Sequence, residues 1–324
     1  MMRCIYIGLL AVCAGCLGYR DNVVTVSDVD GSADHRIFRI GAATQIMLEP
    51  MLWRLEDLKL VDFDRPVTES FKGFLPPEFE SVTLRMLHDG TAGLPRDFID
   101  PMRISDLWAA TAYVFAGSSL YRGFDRREDF VERLWEPRVR HAVARRDEGR
   151  SDMGYALLLM AICDRLGLSA DELCQKYLVE PFGLKDTAFV ATQGMRNRVT
   201  KACAGSVPYF LLRGMEVDDH RGEGEVSLYA EGMLSSAYDL LRICYVIMPH
   251  LDRAKHVLDE RRISSGRTVW CRYGTVCGGN FFVGFDPEDS HAAVLLGNTT
   301  GNRSGVGLDL MENLVHPPET DDGR

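Results

Sequence analysis

The hydrophobic rhythm of the chain changes along its length. From Thr44 to Leu60 apolar residues recur at helical spacing (Ile46, Met47, Met51, Leu52, Leu55, Leu58), which predicts a buried helix. A second apolar helix is expected from Gly154 to Leu166. Near the C-terminus the rhythm shortens to apolar runs at Thr268–Tyr273, Phe281–Phe285 and Ala292–Leu296, with Asp286-Pro287-Glu288-Asp289 as the turn between the last two. That pattern predicts an antiparallel meander. Short strands are also expected at Val23–Val26 and Ile37–Ile40, with a turn at Asp28–Gly31. Residues 104–146 are charge-rich and mainly helical in pattern. Their Arg138, Arg140, Arg145 and Arg146, with the nearby Arg150, read as a solvated face or as the rim of a cleft. A last helix is expected from Gly305 to Leu314, followed by a frayed tail over 317–324.

Composition narrows the class. At 324 residues, 46% hydrophobic and 26% charged, the chain is a packed protein large enough for one big domain or two subdomains. Its formal net charge of -10, without any basic run, argues against nucleic acid as a partner. Arg3, the apolar run Ile5–Ala14 and the small-residue exit Gly15-Cys16 have the form of an export signal, too short to span a bilayer. Residues 1–20 are therefore set apart from the fold as a leader. Cys16 after Ala14-Gly15 resembles a bacterial lipobox and is the candidate for lipidation; a cleaved signal peptide and a plain apolar start are the other readings. Three of the nine cysteines lie in this leader. The other six (Cys163, Cys174, Cys203, Cys244, Cys271, Cys277) lack metal-ligand spacing and are expected to be buried free thiols, so no metal and no cofactor are expected.

Several strings then resemble one family. Phe38-Arg39-Ile40-Gly41-Ala42-Ala43-Thr44-Gln45 is similar to F-x-I-G-S-x-[ST]-K, and Thr83 to Pro95 aligns without a gap with T-L-R-x-L-L-T-H-T-S-G-L-P. Gly154-Tyr155-Ala156-Leu157-Leu158, Pro181-Phe182-Gly183-Leu184-Lys185-Asp186-Thr187-Ala188-Phe189 and Glu231 to Leu240 are similar to further landmarks. Together they resemble the serine β-lactamase and penicillin-binding family, of the class C β-lactamase type, over about residues 37–300. The resemblance implies an α/β (α+β) fold of β-lactamase/transpeptidase type, with an antiparallel sheet flanked by helices and a mainly helical subdomain. A single domain over 21–316 is expected, its sheet drawn from 21–42 and 226–316 and its helical part from about 60–225. Because the chain before Phe38 is short, one edge of the sheet is expected to be trimmed.

The same resemblance locates a site whose chemistry has changed. The family's acylated serine and its activating lysine are Ala42 and Gln45 here; an alanine has no oxygen to acylate, and an amide is not a base near neutral pH. The family's Y-x-N aligns with Arg150-Ser151-Asp152, where a permanently charged guanidinium replaces a proton-relaying phenol. Its [KH]-[TS]-G strand aligns with Arg272-Tyr273-Gly274, which keeps a cation, and a glycine that lets a ligand approach; a surface arginine on an edge strand is the other reading. No S-x-x-K, G-x-S-x-G or H-E-x-x-H string stands elsewhere. Ser151 with His88 as base, and Asp152 with Asp89 as a carboxylate pair, are conceivable replacements, but a serine before a helix is ordinarily a cap. Ser235 and Ser236 are read as cap residues too. The expectation is a catalytically inactive envelope protein, exported and periplasmic or lipid-anchored, without nucleic-acid partners and touching a membrane only through its N-terminus. Its former cleft would bind a cell-wall peptide or another carboxylate through Arg150, Ser151, Asp152, Arg272 and Gly274. The alternative is a divergent esterase, peptidase or β-lactamase-like enzyme with a rebuilt site.

Overall fold

The computed structural model describes residues 23–27, 35–96, 103–108, 111, 126–146, 149–203, 225–276, 279–299 and 304–315. The leader with Cys16, the tail over 317–324 and Cys277 lie outside them.

Five antiparallel strands form the main sheet. Strands β1 (Val23–Ser27), β4 (Asp259–Arg262), β5 (Thr268–Val276), β6 (Gly279–Asp286) and β7 (His291–Gly297) stand in the order β1-β7-β6-β5-β4. Both faces of β6 and β7 are covered, which explains why their sequences read as continuous apolar runs rather than an alternation. Phe281, Val283, Phe285, Ala292, Val294 and Leu296 point into the large core, while Phe282, Ala293 and Leu295 meet Met311 on the opposite face. Met311 belongs to the C-terminal helix, Ser304–Val315.

The strand expected at Ile37–Ile40 does not join this sheet. Strand β2 (Phe38–Arg39) pairs with β3 (Leu234–Ser235) in a separate two-stranded ribbon. Its role is to deliver the chain to α1 (Ala43–Asp57). This helix is buried on nearly all sides, as is α5 (Asp152–Leu166), named after α2 (Leu84–His88), α3 (Arg127–Leu134) and α4 (Pro137–Arg145). A helix apolar all round belongs in a core. Helix α1 stops three residues before the expected end, leaving Leu58 half exposed. Lys59 takes a left-handed φ of 57°, and Leu60 donates its N–H to Leu55 O at 2.9 Å, a helix stop with no glycine to announce it.

The framework strings survive because they stitch the fold. Arg85 spans Glu56 and Asp64, each at 2.7 Å. Asp239, buried near the start of a helix over Ala237–Ile247, accepts from Asp186 N at 2.8 Å and from Thr187 Oγ1 at 2.8 Å, joining two distant landmarks. Ser236 caps that helix by accepting from Asp239 N at 3.2 Å. Ser235 is not a cap; it lies in β3 and its hydroxyl meets Thr187 Oγ1 at 2.9 Å. Cys163, Cys174, Cys203, Cys244 and Cys271 are buried free thiols, and burial pushes Cys244 and Cys271 up to about 12. Among the described residues no single helix is long and apolar enough to cross a membrane.

Candidate functional site

The three divergent elements do come together. Ala42 is the N-cap of α1 and is partly buried, without any side-chain capping bond. One turn on, Gln45 is fully buried and its Nε2 donates to Asp152 Oδ1 at 2.7 Å. A lysine at 45 would face the same carboxylate; the amide keeps the contact but supplies no proton acceptor of useful basicity. Gln45 Oε1 is buried and has no donor among the described residues.

Ser151 is a cap. Its Oγ accepts from Gly154 N at 3.0 Å and donates to Pro95 O at 2.6 Å, so both its roles are filled by backbone. His88 is engaged elsewhere, with Asp89 Oδ1 at 2.6 Å and Glu49 Oε2 at 3.1 Å. Asp89 meets His88, and Asp152 accepts from Gln45.

The two arginines of the expected clamp both make contacts within the chain. Arg150 pairs with Asp259 and reaches Val257 O at 3.4 Å, while Arg272 donates to the same carbonyl at 3.1 Å. The carboxylate that Arg150 meets thus comes from this chain; Arg150 fastens the start of β4 to the N-terminus of α5, and Arg272, from β5, holds the same Val257 carbonyl. Arg272 is not on an edge strand, since β5 lies between β4 and β6, and the side chain is buried. Burial pushes its guanidinium below the usual range, with Asp152 opposing that shift. Gly274 is explained by packing: a Cβ there would stand 2.8 Å from Cε1 of Phe281, its cross-strand partner. A phenylalanine ring, not a ligand, occupies the space that glycine leaves.

Beside these residues opens a cavity of about 750 Å³, walled by Pro95, Arg96, Arg138, His141, Arg145 and Arg150 among others. The arginine-rich segment therefore rims a cleft in part. Arg140 and Arg146 stand apart from it: Arg140 pairs with Glu78 at 2.7 Å, and Arg146 donates to Ser81 Oγ at 2.5 Å.

Below the floor lies a buried polar cluster that sequence reasoning missed. Glu49, fully buried in α1, accepts from Tyr155 Oη at 2.7 Å and Trp53 Nε1 at 3.1 Å. His88 Nε2 stands 3.1 Å and His256 Nε2 3.3 Å from its carboxylate. Burial opposes the charge on Glu49, but His88 and His256 outweigh it and hold the carboxyl well below its usual range. The charges of Glu49 and Asp89 overcome burial at His88 and push it up to about 10. Burial and the adjoining Glu49 raise the Tyr155 phenol, keeping it neutral. One trace in the sequence marks this cluster: Glu49 is a lone carboxylate inside the apolar run Ile46 to Trp53.

Comparison with known proteins agrees with this architecture. The Beta-lactamase family model matches residues 21–314, and the chain belongs to that family. Among solved structures, a class C β-lactamase from Rhodobacter sphaeroides is similar at 14% identity and TM-score 0.66, over 96% of this chain and 98% of that one. A D-stereospecific amidohydrolase from Streptomyces sp. is similar at 17% identity and TM-score 0.62, over 93% and 95%. FmtA from Staphylococcus aureus follows at 15% and 0.61, over 96% and 88%. At these identities the likeness concerns the fold. No curated protein sequence matches the chain.

Proposed function

We propose that this chain is a β-lactamase-family protein without serine-acylation chemistry, which binds a carboxylate-bearing ligand in the arginine-lined cleft beside its former catalytic floor. The observation that carries the reading is the pairing of Gln45 with Asp152 next to Ala42: the nucleophile is absent and the position of its base is spent on a structural hydrogen bond. Ser151, next to Asp152, gives its proton to Pro95 O and accepts from Gly154 N, so both roles of its hydroxyl are filled by backbone rather than by a base. Arg96, Arg138 and Arg145 supply positive charge where an anionic ligand would enter, and a guanidinium is suited to forked recognition of carboxylates. A cell-wall stem peptide is the ligand class in keeping with this chemistry. Export with a lipidated or cleaved leader, in the periplasm or at the membrane surface, belongs to the same proposal.

Intact mass spectrometry after incubation with a penicillin and, separately, a fluorophosphonate is expected to show no adduct. A stoichiometric adduct on the wild-type chain would sink the reading, and the modified peptide would name a rebuilt nucleophile. In the double variant Ala42→Ser with Gln45→Lys, Asp152 is placed to receive the new ammonium group, and slow covalent labelling by the penicillin is expected. Turnover is not expected, because Arg150 cannot relay the proton that the family's tyrosine passes. For the ligand, a D-Ala-D-Ala-terminated peptide at millimolar concentration should raise the melting temperature of the wild type and leave Arg145→Ala unshifted.

A further inference from the structure

We propose that Glu49, His88 and His256 form a binding site for a divalent transition metal ion of the zinc type, with the Tyr155 hydroxyl at its fourth corner. The three ligand atoms lie within 4.8 Å of one another, and two imidazoles with one carboxylate are a donor set that suits zinc.

Geometry supports the assignment in three ways. Zinc bonds of about 2.0–2.1 Å at a tetrahedral angle separate neighbouring ligand atoms by roughly 3.3 Å; Glu49 lies 3.1 Å from His88 Nε2 and 3.3 Å from His256 Nε2. The two contacts use different oxygens of Glu49, so a bound ion would draw the carboxylate toward a single bridging point. Tyr155 Oη completes the cluster at 2.7 Å from Glu49 Oε1 and 3.2 Å from His256 Nε2. The imidazole rings of His88 and His256 lie 4.2 Å apart, centroid to centroid, which brings both Nε2 atoms to the same carboxylate.

The surroundings point the same way. Asp89 stands behind His88, its Oδ1 2.6 Å from Nδ1, which holds the ring with Nε2 toward Glu49. A carboxylate behind a histidine is the usual arrangement at zinc centres. Without an ion, a proton on His88 Nε2 bridges to Glu49, and metal binding would release it. His256 is the most exposed of the three, with 17% of its side chain open, and offers the entry path. It adjoins Val257, whose carbonyl Arg150 and Arg272 hold, so the site would lie directly under the former catalytic floor. These residues sit in α1, in the Leu84–His88 helix with Asp89 after it, in α5 and in the Lys255–Val257 turn, and the metal would join all four.

The test uses the full chain after chelation and dialysis, titrated with Zn(II) and with Co(II). One equivalent of tightly held metal is expected by elemental mass spectrometry, with a Co(II) visible spectrum of a four-coordinate nitrogen and oxygen site. His256→Ala, at the most open corner, should fold and bind at least ~100-fold more weakly; His88→Ala should do the same where circular dichroism shows it folded. Asp89→Asn should weaken binding about 10–100-fold without changing the cobalt spectrum, as a positioning residue does. Failure of the wild type to hold one equivalent, or undiminished binding by His256→Ala, would overturn the proposal. So would a thiolate-to-cobalt charge-transfer band, which would assign the metal to a buried cysteine.

Discussion

Two successive rungs join helices α1 and α5, and they have opposite characters. Gln45 and Asp152 form the upper rung, at the former catalytic floor; Glu49 and Tyr155, one helical turn further along each helix, form the lower. The upper rung stands where the family keeps reactive groups, and here each of its side chains is absorbed into a contact of the chain with itself. The lower rung stands where a core helix would ordinarily be apolar, and here it gathers a carboxylate, two imidazoles, a phenol and an indole. Titratable side chains are gathered at the inner rung of the helix pair rather than at the rung beside Ala42. Loss of a catalytic motif is thus not a loss of polar organisation; the interior holds charge that must be paired to be tolerated at all.

The largest effect is expected from removing the centre of the lower rung. Glu49→Leu takes away the acceptor shared by Tyr155, Trp53, His88 and His256 and leaves the buried His88 imidazole facing hydrocarbon without the carboxylate it was paired with. Breaking a buried ion pair from one side costs about 3–5 kcal/mol. Urea denaturation of the metal-free protein should show that loss, whereas Gln45→Leu in the upper rung, with Asp152 only partly buried, should cost about 1–2 kcal/mol. Equal losses in the two variants would erase the contrast between the rungs.

Gly93→Ala separates the cleft wall from the interior. Gly93 has a φ of 81°, and a Cβ there would stand 2.4 Å from Ala142 O in α4. The backbone conformation alone costs an alanine about 1–3 kcal/mol, and the clash pushes α4 away from the Gly93–Pro95 wall. Stability and binding of an anionic peptide at the cleft should fall together, while cobalt binding at Glu49, His88 and His256 stays within a factor of two or so, since distant, independent sites couple weakly. Loss of the cobalt site in a folded Gly93→Ala protein would show that cleft and interior behave as one unit.

What could be read in the sequence divides along the same line. The meander over β5–β7, the two buried helices and the final helix were legible because both periodicities are local and long apolar runs leave few choices. The departure from the family's S-x-x-K was legible too, because Ala42 and Gln45 sit in a contiguous string that otherwise resembles the family's. The interior cluster was not, because its members are far apart in the chain: His88 lies 39 residues and Tyr155 106 residues from Glu49. No spacing motif links them, and only the charged residue inside an apolar helix hints at partners. The intramolecular use of Arg150 was hidden for a related reason, since Asp259 is 109 residues away and β4, short and charged, carries no strand signal.

The smallest expected effect bears on whether the upper rung conceals a nucleophile. Ser151 lies one residue before Asp152 and is buried, so position alone would suit a reactive hydroxyl. Its bonds argue otherwise. To attack a carbonyl, Oγ would have to surrender the proton it gives to Pro95 O and pass it to a base; His88, the base the sequence offered, is held between Asp89 and Glu49. Ser151→Ala should therefore cost about 1 kcal/mol, the worth of a helix cap, with no change in reaction toward a fluorophosphonate or an ester substrate. Ser151→Thr, which can still accept from Gly154 N and donate to Pro95 O, should restore most of the lost stability. A nucleophile would give the reverse pattern: activity abolished by alanine and impaired by the more crowded threonine, with stability barely moved.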